Sequence, residues 1–165
     1  MRFRFLKSAL ICLLPLVAIS SELAAEGIPQ FRDYRVEVYS GPVRGPDLSS
    51  HPDARTYRTR LRNAAEGQVN FAGELVLTYW GCGTTCVDGA VLNAKTGQIH
   101  FLPHNLCCWG DVDEGFRPIE IRPYSRLIVL AGLRDEVEPM GAHFYEFRDG
   151  AFHFVKTIET SPDFR

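Results

Sequence analysis

The residues best suited to chemistry are cysteines, of which the sequence contains five. Cys82 and Cys86 lie in the glycine-rich segment GCGTTC, and Cys107 and Cys108 are adjacent in HNLCCWG. Closely placed cysteines in even number are typical of a disulfide framework in an oxidising compartment. A bond between adjacent cysteines closes a strained ring, so we expect the first segment to pair with the second. The spacing leaves open which cysteine joins which.

The same cysteines allow two other interpretations. One is a metal site in which thiolates combine with His100 or His104. The other is a redox-active dithiol beside Trp80. The spacings CxxxC and CC depart from the CxxC pattern of zinc knuckles and thiol oxidoreductases, and an oxidising compartment favours disulfides. The sequence therefore predicts structural disulfides, and neither a metal nor another cofactor.

Aromatic and polar residues near the cysteines form a candidate binding patch. Tryptophans are frequent anchors of binding surfaces, and neighbouring glycines let a ligand approach the backbone closely. If a specific partner is bound, we expect it at the loops that follow the strand Phe71–Trp80 and around residues 104–113. The predicted patch comprises Trp80, Glu74, His104, Trp109, Asp111 and Asp113.

An enzyme is the competing class, because some members of this patch could supply an acid/base pair. The candidates are Glu74, His104, Asp111 and Asp113. No GxSxG, HExxH, phosphate-binding loop or dinucleotide-binding fingerprint occurs in the sequence. We therefore predict no catalytic residue and favour a chain that binds rather than reacts.

The N-terminal residue types follow the order that is typical of a secretory signal peptide. Basic residues between Arg2 and Lys7 precede an apolar stretch from Ser8 to Ile19, and small residues follow it. The apolar stretch is too short to span a bilayer. We expect residues 1–25 to be removed and residues 26–165 to form a single disulfide-containing, β-rich domain in the periplasm or outside the cell.

The charge of the chain bears on its partners. The whole sequence carries a formal charge of −2, and removing a basic signal segment makes the remaining domain more acidic. Nucleic-acid-binding proteins present a surplus of positive charge to the phosphates, which this chain lacks. No second apolar run is long enough for a membrane span after cleavage. We expect the partner to be a periplasmic protein.

The elements that must position these residues are mostly strands. Asp149-Gly150 and the run that ends in Gly97 are hairpin turn signals. A stripe of apolar residues between Ser50 and Gly67 predicts one helix near the N-terminal third. The expected fold is mainly β, an antiparallel sheet that is sandwich-like or partly propeller-like. Alternating apolar residues place the strands at 34–39, 71–80, 91–102 (a hairpin), 118–122, 126–133, 142–148 and 151–158.

Three runs in the sequence carry a family resemblance: RTRLRNA, NFAGELVLTYWGCGTTC and GAVLNAKTGQIHFLP. Over about residues 54–133 the chain resembles a family of small, uncharacterised secreted proteins of proteobacteria that share a WGCG[TS]xC segment. The resemblance implies export and a shared fold, and it supplies no activity. In that family the position of Glu74 is often histidine, so any chemistry of that histidine is missing here.

These observations together favour an exported, non-catalytic binding protein. An inhibitor-type domain, such as an immunity protein against a toxin delivered to the periplasm, is one concrete form. The alternatives are a hydrolase that acts on an envelope component, a metal-binding protein that uses the cysteine cluster, and a structural envelope protein. A deep pocket with two acid/base groups would favour the hydrolase, and an exposed aromatic patch would favour the binder.

Overall fold

A computed structural model describes residues 27–109 and 115–160. These residues form one antiparallel sheet of eight strands and one α-helix, α1 (Arg58–Ala65), so the predicted mainly β fold is confirmed. Single-turn 3₁₀ helices lie at Phe31–Tyr34 and Pro52–Arg55. The strands are β1 (Leu75–Gly83), β2 (Cys86–Asn93), β3 (Ile99–Phe101), β4 (Leu106–Cys107), β5 (Ile119–Glu120), β6 (Leu127–Arg134), β7 (Val137–Arg148) and β8 (Ala151–Glu159).

The sheet consists of two larger parts joined by the two-residue strand β4. The strand order is β1-β2-β4-β6-β7-β8, with β3 added to β2 and β5 added to β6. On one side Cys107 lies opposite Cys86 of β2, and on the other it lies opposite Leu133 of β6. One of the four clustered cysteines therefore sits at the seam between the two parts.

The main core lies on one face of the sheet, which curves so that its two ends approach each other. Alternation in β1 turns Leu75 and Leu77 to this face, where they join residues of β6 and β7. Phe71, just before β1, is fully buried and stacks on Phe152 of β8 with ring centroids 6.4 Å apart. The sheet is not closed into a ring, because β1 and β8 remain its two ends.

A second, smaller core lies between α1 and the opposite face of β1 and β2. Leu61 of the helix is fully buried there with Val76, Trp80 and Leu92. Among residues 27–109 and 115–160, no helix combines the length and the apolar composition that crossing a membrane requires. The signal peptide predicted at residues 1–25 lies outside the described residues.

The predicted helix between Ser50 and Gly67 is shorter than expected and interrupted. Ser50 does not cap it, because its hydroxyl donates to the carbonyl of Asp47 and accepts from the backbone N–H of Ile99 in β3. His51 caps the 3₁₀ turn instead, with Nδ1 accepting from the N–H of Asp53 at 3.2 Å. The predicted apolar stripe is confirmed, because Ala54, Tyr57, Leu61 and Ala64 lie in or against the second core, but the α-helix itself begins only at Arg58.

The prediction of a strand at 34–39 is wrong, and the two turn signals are right. Residue 34 ends a 3₁₀ turn, and Arg35 forms only an isolated bridge with Ser125. Asp149 and Gly150 have φ values of 53° and 75°, and Gly97 has φ 81°, as tight hairpin turns require. A turn depends on a few adjacent residues and can be predicted from them, whereas a strand also needs a partner strand along its length.

Candidate functional site

The cysteines form two disulfides, Cys82–Cys86 and Cys107–Cys108. The prediction that the two segments pair with each other is therefore wrong. The segment predicted as a loop is the tight turn of a β1–β2 hairpin, and it brings the Cα atoms of Cys82 and Cys86 to 5.1 Å. Thr85 turns the chain in the left-handed region at φ 49°. The hairpin thus closes the first disulfide locally.

The disulfides differ in accessibility and lie beside each other. Cys82 and Cys108 are exposed, whereas Cys107, at the seam, is only 3% exposed. Disulfides of this kind indicate an oxidising environment. Within the described residues no group of three or more His, Cys, Asp and Glu side chains has a geometry that could hold a metal ion.

The predicted patch is divided rather than gathered on one surface. Glu74 lies at the opposite end of β1 from the cysteines, where its carboxylate binds Lys95 Nζ at 2.7 Å and Asn93 Nδ2 at 2.9 Å. The hydrogen bond from Lys95, above all, lowers the pKa of Glu74, which makes it a poor general acid. The Glu74 carboxylate therefore has a structural partner of its own.

The two tryptophans both pack against neighbouring residues, but they are buried to different extents. Trp80 is buried under the helix, stacked on Tyr57 with ring centroids 4.5 Å apart and covered by the Arg60 guanidinium. Trp109 is half-buried at the edge of the main core, 5.6 Å from the ring of Phe116. Trp80 is therefore not available as an exposed anchor. Asp111 and Asp113 lie outside the described residues.

His104 is the member of the predicted patch that the structure places in a polar arrangement. Its Nδ1 lies 2.5 Å from Oδ2 of Asp135 in the β6–β7 turn. The other carboxylate oxygen of Asp135 accepts from the backbone N–H of Asn105, and the Asp135 N–H donates to the Asn105 carbonyl, both at 3.0 Å. Because a carboxylate only accepts, Nδ1 carries the proton and Nε2 keeps its lone pair in the neutral ring.

Residues that the sequence analysis missed extend this arrangement into a surface. Arg134 Nη1 donates to the hydroxyl of Tyr145 at 3.0 Å, and its guanidinium lies 5.5 Å from the ring centroid of Phe154. The Tyr145 ring lies 5.6 Å from that of Phe154 and 6.1 Å from that of His104. We call this set the His104–Phe154 surface; its members are His104, Arg134, Asp135, Phe154 and the buried Tyr145, which is 3% exposed and belongs to the main core.

Exposure distinguishes this surface from the tryptophans. Phe154 is 56% exposed although its neighbours are aromatic and charged. Val137, which lies opposite Arg134 at the start of β7, is 63% exposed. Alternation in β8 does not predict this exposure, because Phe154 has the same parity as Phe152, which packs against the main core. Nothing local in the sequence indicates that this face meets His104 and Asp135.

A buried histidine, His143, lies near Arg134 and His104 of this surface. His143 is fully buried; Nε2 donates to the Gly132 carbonyl at 2.9 Å, so Nδ1 accepts from the Thr157 hydroxyl at 2.8 Å. Burial lowers its pKa, and the nearby Arg134 and His104 lower it further. His143 lies opposite Thr157 of β8, whereas His153 lies opposite Glu146 of β7.

Comparison with known proteins adds no family to these observations. No family model, no curated protein and no solved structure matches the chain.

Proposed function

We propose that this chain is an exported periplasmic binding protein of the inhibitor type, and that its partner protein binds the His104–Phe154 surface. The observation that carries the proposal is the exposed ring of Phe154 held between Arg134 and Tyr145. Aromatic residues and arginine are the types that dominate binding energy at protein interfaces. An immunity-like inhibitor needs such a surface.

The rigidity of this surface supports binding. Arg134 is oriented by its hydrogen bond to Tyr145, and Asp135 is fixed by both His104 and the backbone of Asn105. Side chains that are already ordered lose less conformational entropy when a partner binds. The Cys107–Cys108 disulfide, which follows His104 in the chain, constrains the same segment.

The compartment is supported by two independent features. The disulfides favour an oxidising environment, and the N-terminal order of basic, apolar and small residues favours export. The family that shares the WGCG[TS]xC segment would place this chain among small secreted proteins of proteobacteria. A periplasmic partner is therefore the class of protein we propose.

The test is affinity purification of the tagged protein from the periplasm, followed by mass spectrometry. Phe154→Ala should abolish recovery of the partner that the wild-type protein recovers. Tyr124→Ala is the matched control, because Tyr124 is also exposed (37%) and also lies against an arginine, Arg35, but beyond the opposite end of β6. Equal recovery of the partner with both variants would refute this surface as the binding site.

A second candidate function is supported by the His104–Asp135 pair. A carboxylate that holds Nδ1–H leaves Nε2 free to act as a general base, as in many hydrolases. The substrate class would be a polymer of the cell envelope. Release of soluble fragments from such a polymer by the wild-type protein, and no release by His104→Ala, would favour this hydrolase over the binding protein.

A further inference from the structure

The two disulfides lie on neighbouring strands in a position where they could exchange partners. Cys86 of β2 and Cys107 of β4 are directly opposite each other in the antiparallel register. Directly opposite residues project to the same face of a sheet. Each of the two cysteines nevertheless has its sulfur bonded to a cysteine of its own segment.

The hydrogen bonds between the strands define the type of this pair. The N–H of Cys108 donates to the carbonyl of Thr85 at 3.0 Å, so Thr85 and Cys108 form a hydrogen-bonded position. Because such positions alternate in an antiparallel ladder, Cys86 and Cys107 occupy a non-hydrogen-bonded position. Opposite Cα atoms are about 4.5 Å apart there, within the range that a disulfide spans.

Accessibility gives the four sulfurs different roles. Cys82 and Cys108 are exposed, Cys86 is half-buried, and Cys107 is buried. Cys108 has φ 71°, a left-handed conformation that side chains rarely adopt. An external thiol can therefore approach the outer cysteine of the vicinal pair, whereas the inner cysteine faces Cys86.

We propose that these four cysteines form a thiol–disulfide exchange site whose substrate class is a dithiol, and whose reduced form carries a single cross-strand disulfide, Cys86–Cys107. A thiolate of the dithiol attacks Sγ of Cys108, which breaks the Cys107–Cys108 bond and leaves the electron pair on Cys107. The second thiol of the reductant then displaces Cys108, so the reductant leaves as a disulfide and Cys108 takes up a proton.

Intramolecular exchange completes the reaction. The Cys107 thiolate attacks Sγ of Cys86, the Cys86–Cys107 bond forms, and the Cys82–Cys86 bond breaks. Cys82 leaves as a thiolate and takes up a proton. Two electrons and two protons have then passed from the dithiol to the protein, whose exposed cysteines are now the thiols. The proposal is independent of the partner-binding function.

The first experiment uses the purified, fully oxidised mature protein and one equivalent of dithiothreitol. After an acid quench, free thiols are alkylated and peptides are analysed by mass spectrometry without further reduction. We expect a cross-link between Cys86 and Cys107, with alkyl groups on Cys82 and Cys108. An intact Cys82–Cys86 bond with alkylated Cys107 and Cys108, or the reverse, would overturn the proposal.

Two double variants test the register. Cys82→Ser/Cys108→Ser keeps the opposed cysteines, and we expect it to form the cross-strand bond and show no free thiol. Cys82→Ser/Cys107→Ser is the control: it keeps Cys86 and Cys108, which are not register partners, and we expect two free thiols. Two free thiols in the first variant, or a closed bond in both, would overturn the proposal. The wild-type titration decides the question if the variants do not fold.

Discussion

His104 and Asp135 are separated by 31 residues in the chain, yet Nδ1 of the first lies 2.5 Å from Oδ2 of the second. The contact exists because β4, which follows His104, is inserted beside the end of β6, where Asp135 begins the turn. It holds the imidazole with its ring centroid 6.1 Å from that of Tyr145, which in turn contacts Arg134 and Phe154.

Binding should depend on the guanidinium that covers the exposed ring. We expect Arg134→Ala to weaken partner binding by about 10-fold to 100-fold, because arginines packed on aromatic residues at interfaces are frequent hot spots. Titration calorimetry with the purified partner would measure the change. Arg35→Ala, which removes the equivalent guanidinium over Tyr124, should leave the affinity unchanged. An equal loss in both variants would point to a general effect on the fold.

A glycine in the β6–β7 turn, in place of Glu136, should stabilise the protein. Glu136 has φ 65°, a left-handed conformation that costs a non-glycine residue about 1–2 kcal/mol. Glu136→Gly should therefore stabilise the protein by about 0.5–1 kcal/mol after the entropy of the more flexible unfolded chain is subtracted. Urea denaturation would measure this change.

The β7–β8 turn provides a matched comparison, in which the substitution should change the free energy of unfolding in the opposite direction. Gly150 already occupies the equivalent left-handed position, at φ 75°, and a Cβ there would lie 3.3 Å from His100. Gly150→Ala should destabilise the protein by about 1 kcal/mol. If both substitutions shifted the urea midpoint in the same direction, backbone conformation would not be the controlling factor.

Stability should fall as the solution becomes acidic, because buried histidines resist protonation. Burial lowers the pKa of His143 and of His100 below the ordinary value of 6.5. The stabilising contribution of each neutral ring is complete above pH 6.5. It declines below pH 6.5 by up to about 1.4 kcal/mol per pH unit for each histidine, until the folded-state pKa is reached. Urea midpoints between pH 7.5 and 5 would measure the slope.

Substitution of each histidine by glutamine identifies which side chain causes the loss of stability at low pH. His143→Gln retains one donor and one acceptor but does not titrate, so the slope below pH 6.5 should decrease while the His100 contribution remains. His100→Gln should have the same effect, and the double variant the larger one. An unchanged slope in the double variant would assign the acid sensitivity to other groups.

Removal of the hairpin disulfide should have a modest effect on stability. Cys82 and Cys86 are only four residues apart, so their bond constrains a short loop of the unfolded chain. The chain-entropy relation gives about 2 kcal/mol for a loop of this length. Cys82→Ser/Cys86→Ser should lose about that much in the free energy of unfolding. A loss above about 4 kcal/mol would show that the bond also supports the native packing.

The sequence alone determined the features that depend on neighbouring residues. The left-handed turns at Gly97 and Gly150 follow from turn chemistry that operates over a few residues. The shared face of Leu75 and Leu77 follows from the two-residue period of a strand. The apolar stripe of the helix, with Leu61 in its buried position, follows from helical periodicity. These patterns sufficed for a mainly antiparallel β fold with one helix.

Only the tertiary structure decided which distant residues meet. The disulfide pairing depends on a hairpin turn at Thr84 and Thr85, which the sequence pattern did not distinguish from an open loop. The site around His104 depends on β4 lying between β2 and β6, an insertion set by register across the whole sheet. Register is fixed by the joint burial of many side chains, so no short segment of sequence contains it.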